Sequence, residues 1–170
     1  QTSFAKAFSD FVDKEIRPRG AEVEAAGVFP RDNYKRLAEF GYNGLLHEES
    51  YGGTNVDSVT STLAQIELAR ACASTFLSVG ASVGLFGTPL RLFGSKELKS
   101  EIIPGLVTGD LVGAWALTEP HCGSDAAAMK TTARKTDSGY VLSGSKMFIT
   151  NGADADWVMV TAKTNPEAEH

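Results

Sequence analysis

The sequence predicts an α+β protein: an N-terminal all-α domain, residues 1–110, followed by an incomplete antiparallel β-domain, residues 111–170. Apolar residues recur at helical spacing through most of the first part. From Leu111 onward they form short β-prone runs separated by Gly, Asp, Asn and Ser. Gly109-Asp110 lies between the two patterns, so we place the domain boundary there.

Spacing and end signals predict five helices in the first domain. The first is amphipathic and stops at Pro18, the second ends at Gly41, and Asp57 caps the third. The fourth, Ser74 to Leu92, is apolar on nearly every side, which is typical of a central helix, and Ser95 caps the fifth. The faces expected to pack inward carry Phe4, Phe8, Phe11, Val12 and Ile16, then Tyr34 and Leu37, then Val59, Leu63 and Ile66, then Leu98, Ile102 and Ile103.

The second domain is expected to hold about five strands. Turn residues separate them, and Asp137-Ser138-Gly139 has the composition of a hairpin loop. The predicted strands are Leu111–Leu117, Thr131–Thr136, Tyr140–Ser143, Met147–Thr150 and Trp157–Ala162.

Composition excludes several classes of protein. The net charge is −5 and the 16 Lys and Arg residues are scattered, so no nucleic-acid partner is expected. Cys72 and Cys122 lie far apart with no histidine pair nearby, so neither a disulfide framework nor a metal site is expected. Ser, Gly, Thr and Pro interrupt the apolar stretch Phe76–Leu92, so no membrane association is expected.

Two segments of the β-domain carry the functional signal. Gly113–Asp125 reads GAWALTEPHCGSD and Gly144–Gly152 reads GSKMFITNG. They resemble, in the right order, the two signature segments of the acyl-CoA dehydrogenase family: ALTEP followed after two residues by GSD, and G-x-K-x-aromatic-I-T-N. Weaker similarity extends through the helical part at Phe29-Pro30, Leu37–Gly41, Tyr51–Gly53, Phe93–Lys96 and Ile103-Pro104.

The resemblance implies FAD as cofactor. A flavin ring accepts hydride at N5 and gains negative charge toward its pyrimidine edge, so its site requires donors along that edge and flat apolar contacts elsewhere. Thr150 is expected near N5, and Ser124 is expected to contact the acyl-CoA substrate as well as the cofactor. The cofactor-binding residues implied by the resemblance are Trp115, Ala116, Leu117, Thr118, Gly123, Ser124, Phe148, Ile149 and Thr150.

Plainer interpretations of the same residues stay open. Trp115 and Phe148 are also typical core aromatics, and Thr118 and Thr150 typical strand residues. Ser124 with Asp125 is also suited to start a turn or cap a short helix at residues 126–129. Four charged or nucleophilic residues are not expected to act in catalysis: Glu119 belongs to the binding turn, His121 and Cys122 to an ordinary loop, and Lys146 to a solvated strand.

The family's reaction oxidises a fatty acyl-CoA to trans-2-enoyl-CoA by α-proton abstraction and β-hydride transfer to FAD. The catalytic base is expected in a carboxy-terminal helical domain, so no catalytic residue is assigned within residues 1–170 and this chain alone is expected to be inactive. The resemblance also implies electron-transfer flavoprotein as acceptor and a homo-oligomer, dimer or tetramer, at full length. The compartment would be the cytoplasm in a bacterium or the mitochondrial matrix in a eukaryote.

Two other functions remain open at this point. One is a flavin oxidase or monooxygenase of the same fold, and the other is a non-catalytic binding protein that keeps the fold. Acyl chain length and branching are not readable from these residues.

Overall fold

The computed structural model describes residues 2–165, in which helices come first and strands follow. This order confirms the predicted α+β class. The helices are α1 (Thr2–Phe11), α2 (Gly20–Ala26), α3 (Arg31–Phe40), α4 (Ser58–Ala71), α5 (Ala73–Val79), α6 (Gly87–Phe93) and α7 (Lys96–Val107). The strands are β1 (Gly113–Ala116), β2 (Thr132–Thr136), β3 (Gly139–Ser143) and β4 (Trp157–Val160).

Aromatic side chains dock α1 onto the end of α3. Phe8 is fully buried, and its ring centroid lies 5.2 Å from those of Phe40 and Tyr42. Pro18 does not stop the helix as expected, because a π-helical turn, Val12–Ile16, and a short 3-10 turn lead on into α2. Pro18 is the second residue of this 3-10 turn, Arg17–Arg19, where its missing N–H breaks no helical hydrogen bond.

Helix α4 starts as predicted but buries a different face. Asp57 accepts hydrogen bonds from the backbone N–H groups of Val59 and Thr60, which confirms the cap. The expected inward face is wrong, since Val59 and Ile66 are 56% and 55% exposed and Leu63 is half-buried. Small and polar residues allow α4 to approach α1 and α5 closely. The residues that α4 buries are Thr60, Ser61, Ala64, Leu68 and Ala71.

Helices α5 and α6 are the two ends of one central helix, Ala73–Phe93, joined by a π-helical turn, Gly80–Phe86. It matches the predicted fourth helix. Among residues 2–165 it is the one helix that is long and apolar enough to cross a membrane, with 21 residues and a mean hydropathy of 1.3. The core helices of soluble proteins can have the same length and composition. This helix packs against α4, α2 and β1 and contributes to both hydrophobic clusters that residues 2–165 form, as a core helix does.

A buried histidine lies against this helix. The His47 side chain is fully buried, and a Cβ at Gly87 would lie 2.9 Å from its ring, so glycine is required there. Burial, reinforced by the charge of Arg91, lowers the pKa of His47 from its ordinary value of 6.5 to about 4. The imidazole is therefore neutral at physiological pH and packs as an uncharged core group.

The strands of the described residues form two small sheets. Strands β2 and β3 make an antiparallel hairpin that turns at Asp137-Ser138, as predicted. Strands β1 and β4 pair in parallel, with Gly113 opposite Trp157, which differs from the antiparallel arrangement expected throughout. The long chain segment between them provides the crossover that parallel pairing requires.

Two further features of the β-domain were not expected. The segment Met147–Thr150, predicted as a strand, is irregular. Lys163, beyond β4, exchanges backbone hydrogen bonds of 2.9 Å with Thr131 and Ala133, so it links the two sheets. The domain is therefore continuous although each sheet has only two strands.

A buried hydrogen-bond chain joins the helical domain to β1. The Gly113 N–H donates to Ser82 Oγ at 2.9 Å, and Tyr34 Oη donates to the Leu111 carbonyl at 2.9 Å. Ser82 and Tyr34 are 3.0 Å apart, so the Ser82 proton remains for the bond between them. Phe86 packs so closely on the same strand that a Cβ at Gly113 would lie 2.3 Å from its ring.

Replacing Ser82 with Ala tests this junction. The change leaves the buried Gly113 N–H without a partner, so the free energy of unfolding should fall by about 1–3 kcal/mol. Ser78→Ala, on the same helix but only half-buried, is the control and should stay within about 0.5 kcal/mol of the parent. Urea denaturation of the three proteins measures the difference. Equal midpoints for both variants would contradict the role assigned to Ser82.

Candidate functional site

The fold brings the two signature segments side by side. The Met147 N–H donates to the Thr118 carbonyl at 3.0 Å, and Asn151 Nδ2 donates to the Gly113 carbonyl at 3.2 Å. Residues 148–150 therefore run next to residues 114–117 in the opposite direction. Asn151 Nδ2 also donates to the Ser78 carbonyl of the central helix at 2.8 Å, which anchors the irregular segment to the helical domain.

Strand β1 offers backbone groups along one edge of this site. The carbonyls of Val112 and Ala116 accept hydrogen bonds from residues at or next to β4. Because backbone groups alternate along a strand, those of Gly113, Trp115 and Leu117 face the other edge. Two of these groups are occupied by side chains of the second segment: the Gly113 carbonyl accepts from Asn151 and the Leu117 carbonyl from Lys146. The backbone of Trp115 and the N–H of Leu117 are therefore placed to contact a planar ligand.

Aromatic and hydroxyl side chains complete the arrangement. Trp115 is half-buried and its ring N–H donates to Thr161 Oγ1 at 2.9 Å, which sets the orientation of the indole. Phe148 has a φ of +56° and a side chain that is 84% exposed. A positive φ is uncommon for a non-glycine residue and is often found at functional sites. Thr150 is exposed and lines a polar depression beside Asn151.

The turn after β1 lies close to the same edge. Gly123 is exposed, and a Cβ at this position would lie in ordinary contact, 3.8 Å, with the Thr118 methyl group, so the turn runs beside Thr118. Ser124 and Asp125 are exposed and precede a short 3-10 helix, Ala126–Ala128. Asp125 makes no side-chain capping bond to that helix.

A buried ion pair that the sequence did not reveal fixes this arrangement. Glu119 is 3% exposed and accepts hydrogen bonds from Lys146 Nζ at 2.8 Å and from the N–H groups of Lys130 and Thr131 at 2.7 and 3.0 Å. Lys146 Nζ also donates to the Leu117 carbonyl at 2.9 Å. The expectation that Lys146 is solvated is wrong, because its side chain is only 11% exposed. Glu119 and Lys146 are 27 positions apart, and no local sequence pattern predicts that two such distant residues form a pair.

The same contacts define what Glu119 does chemically. The Lys146 ammonium holds the pKa of Glu119 well below its usual range, against the opposing effect of desolvation. The carboxylate is therefore ionised at neutral pH, and it has no proton to donate. That Glu119 is not the catalytic acid or base stays a prediction.

An apolar cavity of about 500 Å³ adjoins Trp115 on the side of the helical domain. Its walls come from the loop after α3, from α4 and from the central helix. A Cβ at Gly80 or Gly84 would meet no atom within 4 Å, so these glycines leave the space open. The apolar side chains around it include Tyr42, Leu45, Leu46, Phe76, Leu77, Val83 and Leu85.

The predicted site residues thus form one region. The structure brings together Trp115–Thr118 and Phe148–Thr150, with Gly123 beside Thr118 and Ser124 next to it in the chain. Ala116 is 4% exposed and its carbonyl accepts a hydrogen bond from Thr161 on the β4 side, so it lies next to the site without facing its open edge. The ligand roles of these residues stay predictions. Contacts that cross between distant segments were not predicted; they are those of Lys146, Asn151 and Thr161.

The helical part and the β-part meet where the edge of β1 at Trp115 and Leu117, here called the binding edge, lies next to the apolar cavity. Residues 1–110 match the family model of the acyl-CoA dehydrogenase N-terminal domain, and residues 114–170 match that of the middle domain. The chain belongs to the acyl-CoA dehydrogenase family.

The comparisons with individual proteins agree. An acyl-CoA dehydrogenase of Bacillus subtilis is 43% identical over 169 residues, which is 98% of this chain and 44% of the relative. The solved acyl-CoA dehydrogenase of Bacillus anthracis complexed with FAD is 40% identical with a TM-score of 0.87, over 95% of this chain and 29% of that one. The chain therefore spans less than half the length of these relatives.

Two other solved structures are similar to this chain. PigA with FAD and proline is 30% identical with a TM-score of 0.92, over 98% of this chain and 44% of that one. A chain in the structure described as the electron transferring flavoprotein of Acidaminococcus fermentans is 35% identical with a TM-score of 0.85. That match covers 93% of this chain and 42% of the other.

Removing the Lys146 charge tests the ion pair. In Lys146→Met the Glu119 carboxylate stays buried without its cation, so the protein should unfold at a clearly lower urea concentration. Lys130→Met is the control, because only the backbone of Lys130 contacts Glu119, and its stability should change by no more than about 0.5 kcal/mol. The double variant Glu119→Gln/Lys146→Met should be more stable than Lys146→Met alone. A double variant that is less stable than both single variants would contradict the pairing.

Proposed function

We propose that this chain is the amino-terminal part of an FAD-dependent acyl-CoA dehydrogenase that oxidises a fatty acyl-CoA to trans-2-enoyl-CoA. The observation that carries the proposal is the junction of the two signature segments, fixed by the bonds of Met147 to Thr118 and of Asn151 to Gly113. Family membership and the FAD complex of the Bacillus anthracis relative support it.

The residues at this junction fit a flavin. When bound, FAD supplies the acceptor for the hydride that leaves the β-carbon of the acyl group. Trp115 and Leu117 supply backbone groups for a polar ring edge, and Thr118 and Thr150 supply hydroxyls. Phe148, held exposed by its left-handed backbone, supplies a flat apolar contact.

The cavity beside Trp115 fits the acyl chain. Its lining is mostly apolar, and burial of methylene groups there would contribute about 0.8 kcal/mol each. Gly80 and Gly84 keep the space clear next to the central helix. Ser124 follows Gly123, which lies beside Thr118, and we assign to Ser124 contacts with both substrate and cofactor.

The base that removes the α-proton is assigned to the carboxy-terminal region of the longer relatives. Glu119 is unsuited to that role, because it is buried and held by Lys146 and two backbone N–H groups. We therefore propose that residues 1–170 bind and orient the cofactor and part of the acyl group, and that they are inactive alone.

The partners follow from this activity. Electron-transfer flavoprotein is the proposed acceptor, in keeping with the similarity to a chain in the Acidaminococcus fermentans structure named after such a protein. We also propose that the full-length protein is a homo-oligomer, dimer or tetramer.

A second candidate function is a same-fold flavin enzyme acting on another substrate. The structure of PigA with FAD and proline favours keeping it, since that protein has the highest TM-score among those compared above. Both candidates share the fold, so only the substrate and the electron acceptor distinguish the dehydrogenase from another flavin enzyme. A non-catalytic binding protein is the remaining alternative.

Anaerobic reduction of the full-length protein tests the activity. The purified protein should be yellow, and a fatty acyl-CoA should bleach the flavin in the absence of oxygen, because hydride reaches the ring. Free fatty acid and free proline are the controls. Bleaching by proline but not by acyl-CoA would favour the second candidate, and a folded protein that takes up no FAD would favour the binding protein.

Thr150 is expected to donate a hydrogen bond toward flavin N5. Thr150→Val keeps the β-branched shape and removes the donor, so flavin reduction should slow roughly 10- to 100-fold if the lost bond contributes about 1.5–3 kcal/mol in the transition state. Anaerobic stopped-flow reduction of the full-length protein measures this. Thr136→Val, in the β2–β3 hairpin, is the matched control. An equal reduction rate in both variants would show that Thr150 is an ordinary turn residue.

A further inference from the structure

The turn that follows β1 brings three metal-binding side chains together. The Glu119 N–H donates to the Cys122 carbonyl at 2.9 Å, and the Cys122 N–H donates to the Glu119 carbonyl at 3.2 Å. These two bonds close a tight four-residue turn. Within it a carboxylate oxygen of Glu119, a ring nitrogen of His121 and the Sγ of Cys122 all lie within 4.8 Å of one another. The sequence predicted no metal site here, and His121-Cys122 was expected to form an ordinary loop.

We propose that this turn binds a thiophilic divalent cation, best matched by Zn²⁺, through Glu119, His121 and Cys122. One sulfur, one imidazole nitrogen and one carboxylate oxygen are the donor types that Zn²⁺ takes in proteins. Tetrahedral zinc places such donors roughly 3.3–3.7 Å apart, given its bond lengths. The observed separations, all within 4.8 Å, exceed this range by little more than 1 Å, so small side-chain rotations would bring the three donors to zinc geometry.

The charges around the turn leave one carboxylate oxygen for the cation. Lys146 contacts Glu119 Oε1 at 2.8 Å and is neutralised there. The other oxygen, Oε2, lies 3.4 Å from His121 Nε2 and is oriented by the Lys130 N–H at 2.7 Å. The His121 side chain is 38% exposed and Cys122 is half-buried, so a cation can enter from solvent and keep a fourth position for water.

The position of the site links it to the binding edge. Gly123 follows Cys122 directly and lies beside Thr118, and Ser124 is the next residue. A cation held by His121 and Cys122 would tie this loop to Glu119 and restrict its movement during ligand entry. The proposed consequence is reversible inhibition of flavin reduction by Zn²⁺; this part rests on the proposed function, whereas the metal binding does not.

Cobalt serves as the probe of binding. The 170-residue chain titrated with Co²⁺ should bind about one equivalent and show a thiolate-to-cobalt charge-transfer band that Zn²⁺ removes and excess Mg²⁺ leaves in place. Cys122→Ser should abolish the band, and His121→Gln should weaken binding roughly tenfold or more. Cys72→Ser is the matched control, because Cys72 is buried away from the turn and its variant should behave like the parent. Circular dichroism confirms that each variant is folded.

The result that overturns the metal site is absence of the charge-transfer band in the parent, its persistence in Cys122→Ser, or unchanged affinity in His121→Gln. The full-length protein tests the consequence: Zn²⁺ should slow reduction by acyl-CoA in the parent and not in His121→Gln/Cys122→Ser. Binding without inhibition would overturn the link to the binding edge while the metal site stands. A full-length protein that acyl-CoA does not reduce would instead contradict the proposed function, and the cobalt titration would be unaffected.

Discussion

The hydrogen bond from the Gly113 N–H to Ser82 Oγ is the interaction on which the site depends. It attaches the first residue of β1 to the π-helical turn of the central helix, where Tyr34 completes the chain of bonds. Phe86, from the same turn, packs onto Gly113 so closely that no side chain fits there. Asn151 then bonds to both Gly113 and the central helix, so both signature segments are positioned from one helix.

A second constraint holds the irregular segment in place without a strand ladder. Lys146 donates to the Leu117 carbonyl and to the buried Glu119, and Met147 adds one backbone bond. If this segment paired as a regular strand, its backbone would occupy the edge of β1. Because side chains make most of the connections instead, amide groups at Trp115 and Leu117 remain placed for a ligand. The buried carboxylate therefore has a structural role, although it lies within a signature segment.

The helical domain and the β-domain divide the proposed binding task. The β-domain presents aromatic rings, hydroxyls and backbone groups, which suit a flat polar-edged ring. The helical domain contributes the apolar cavity next to Trp115, which suits a hydrocarbon chain. The fold alone does not choose between dehydrogenation and another flavin reaction.

The sequence by itself determined the features that rest on contacts within a few residues. Asp57 and Ser95 accept N–H groups two or three positions ahead, Gly41 ends α3 with a φ of +93°, and Asp137-Ser138 turns the hairpin. Short-range bonds of this kind have residue preferences that can be read directly. The signature segments were equally legible, because their residues are contiguous.

Only the tertiary structure decided which surfaces meet. Ala64 and Leu68 of α4 are buried while the more apolar Val59 and Ile66 are exposed, because small residues allow the neighbouring helices to approach. Lys146 is buried because a carboxylate from a distant segment receives it. The parallel pairing of β1 with β4 has the same origin: it depends on a partner that a linear pattern does not specify.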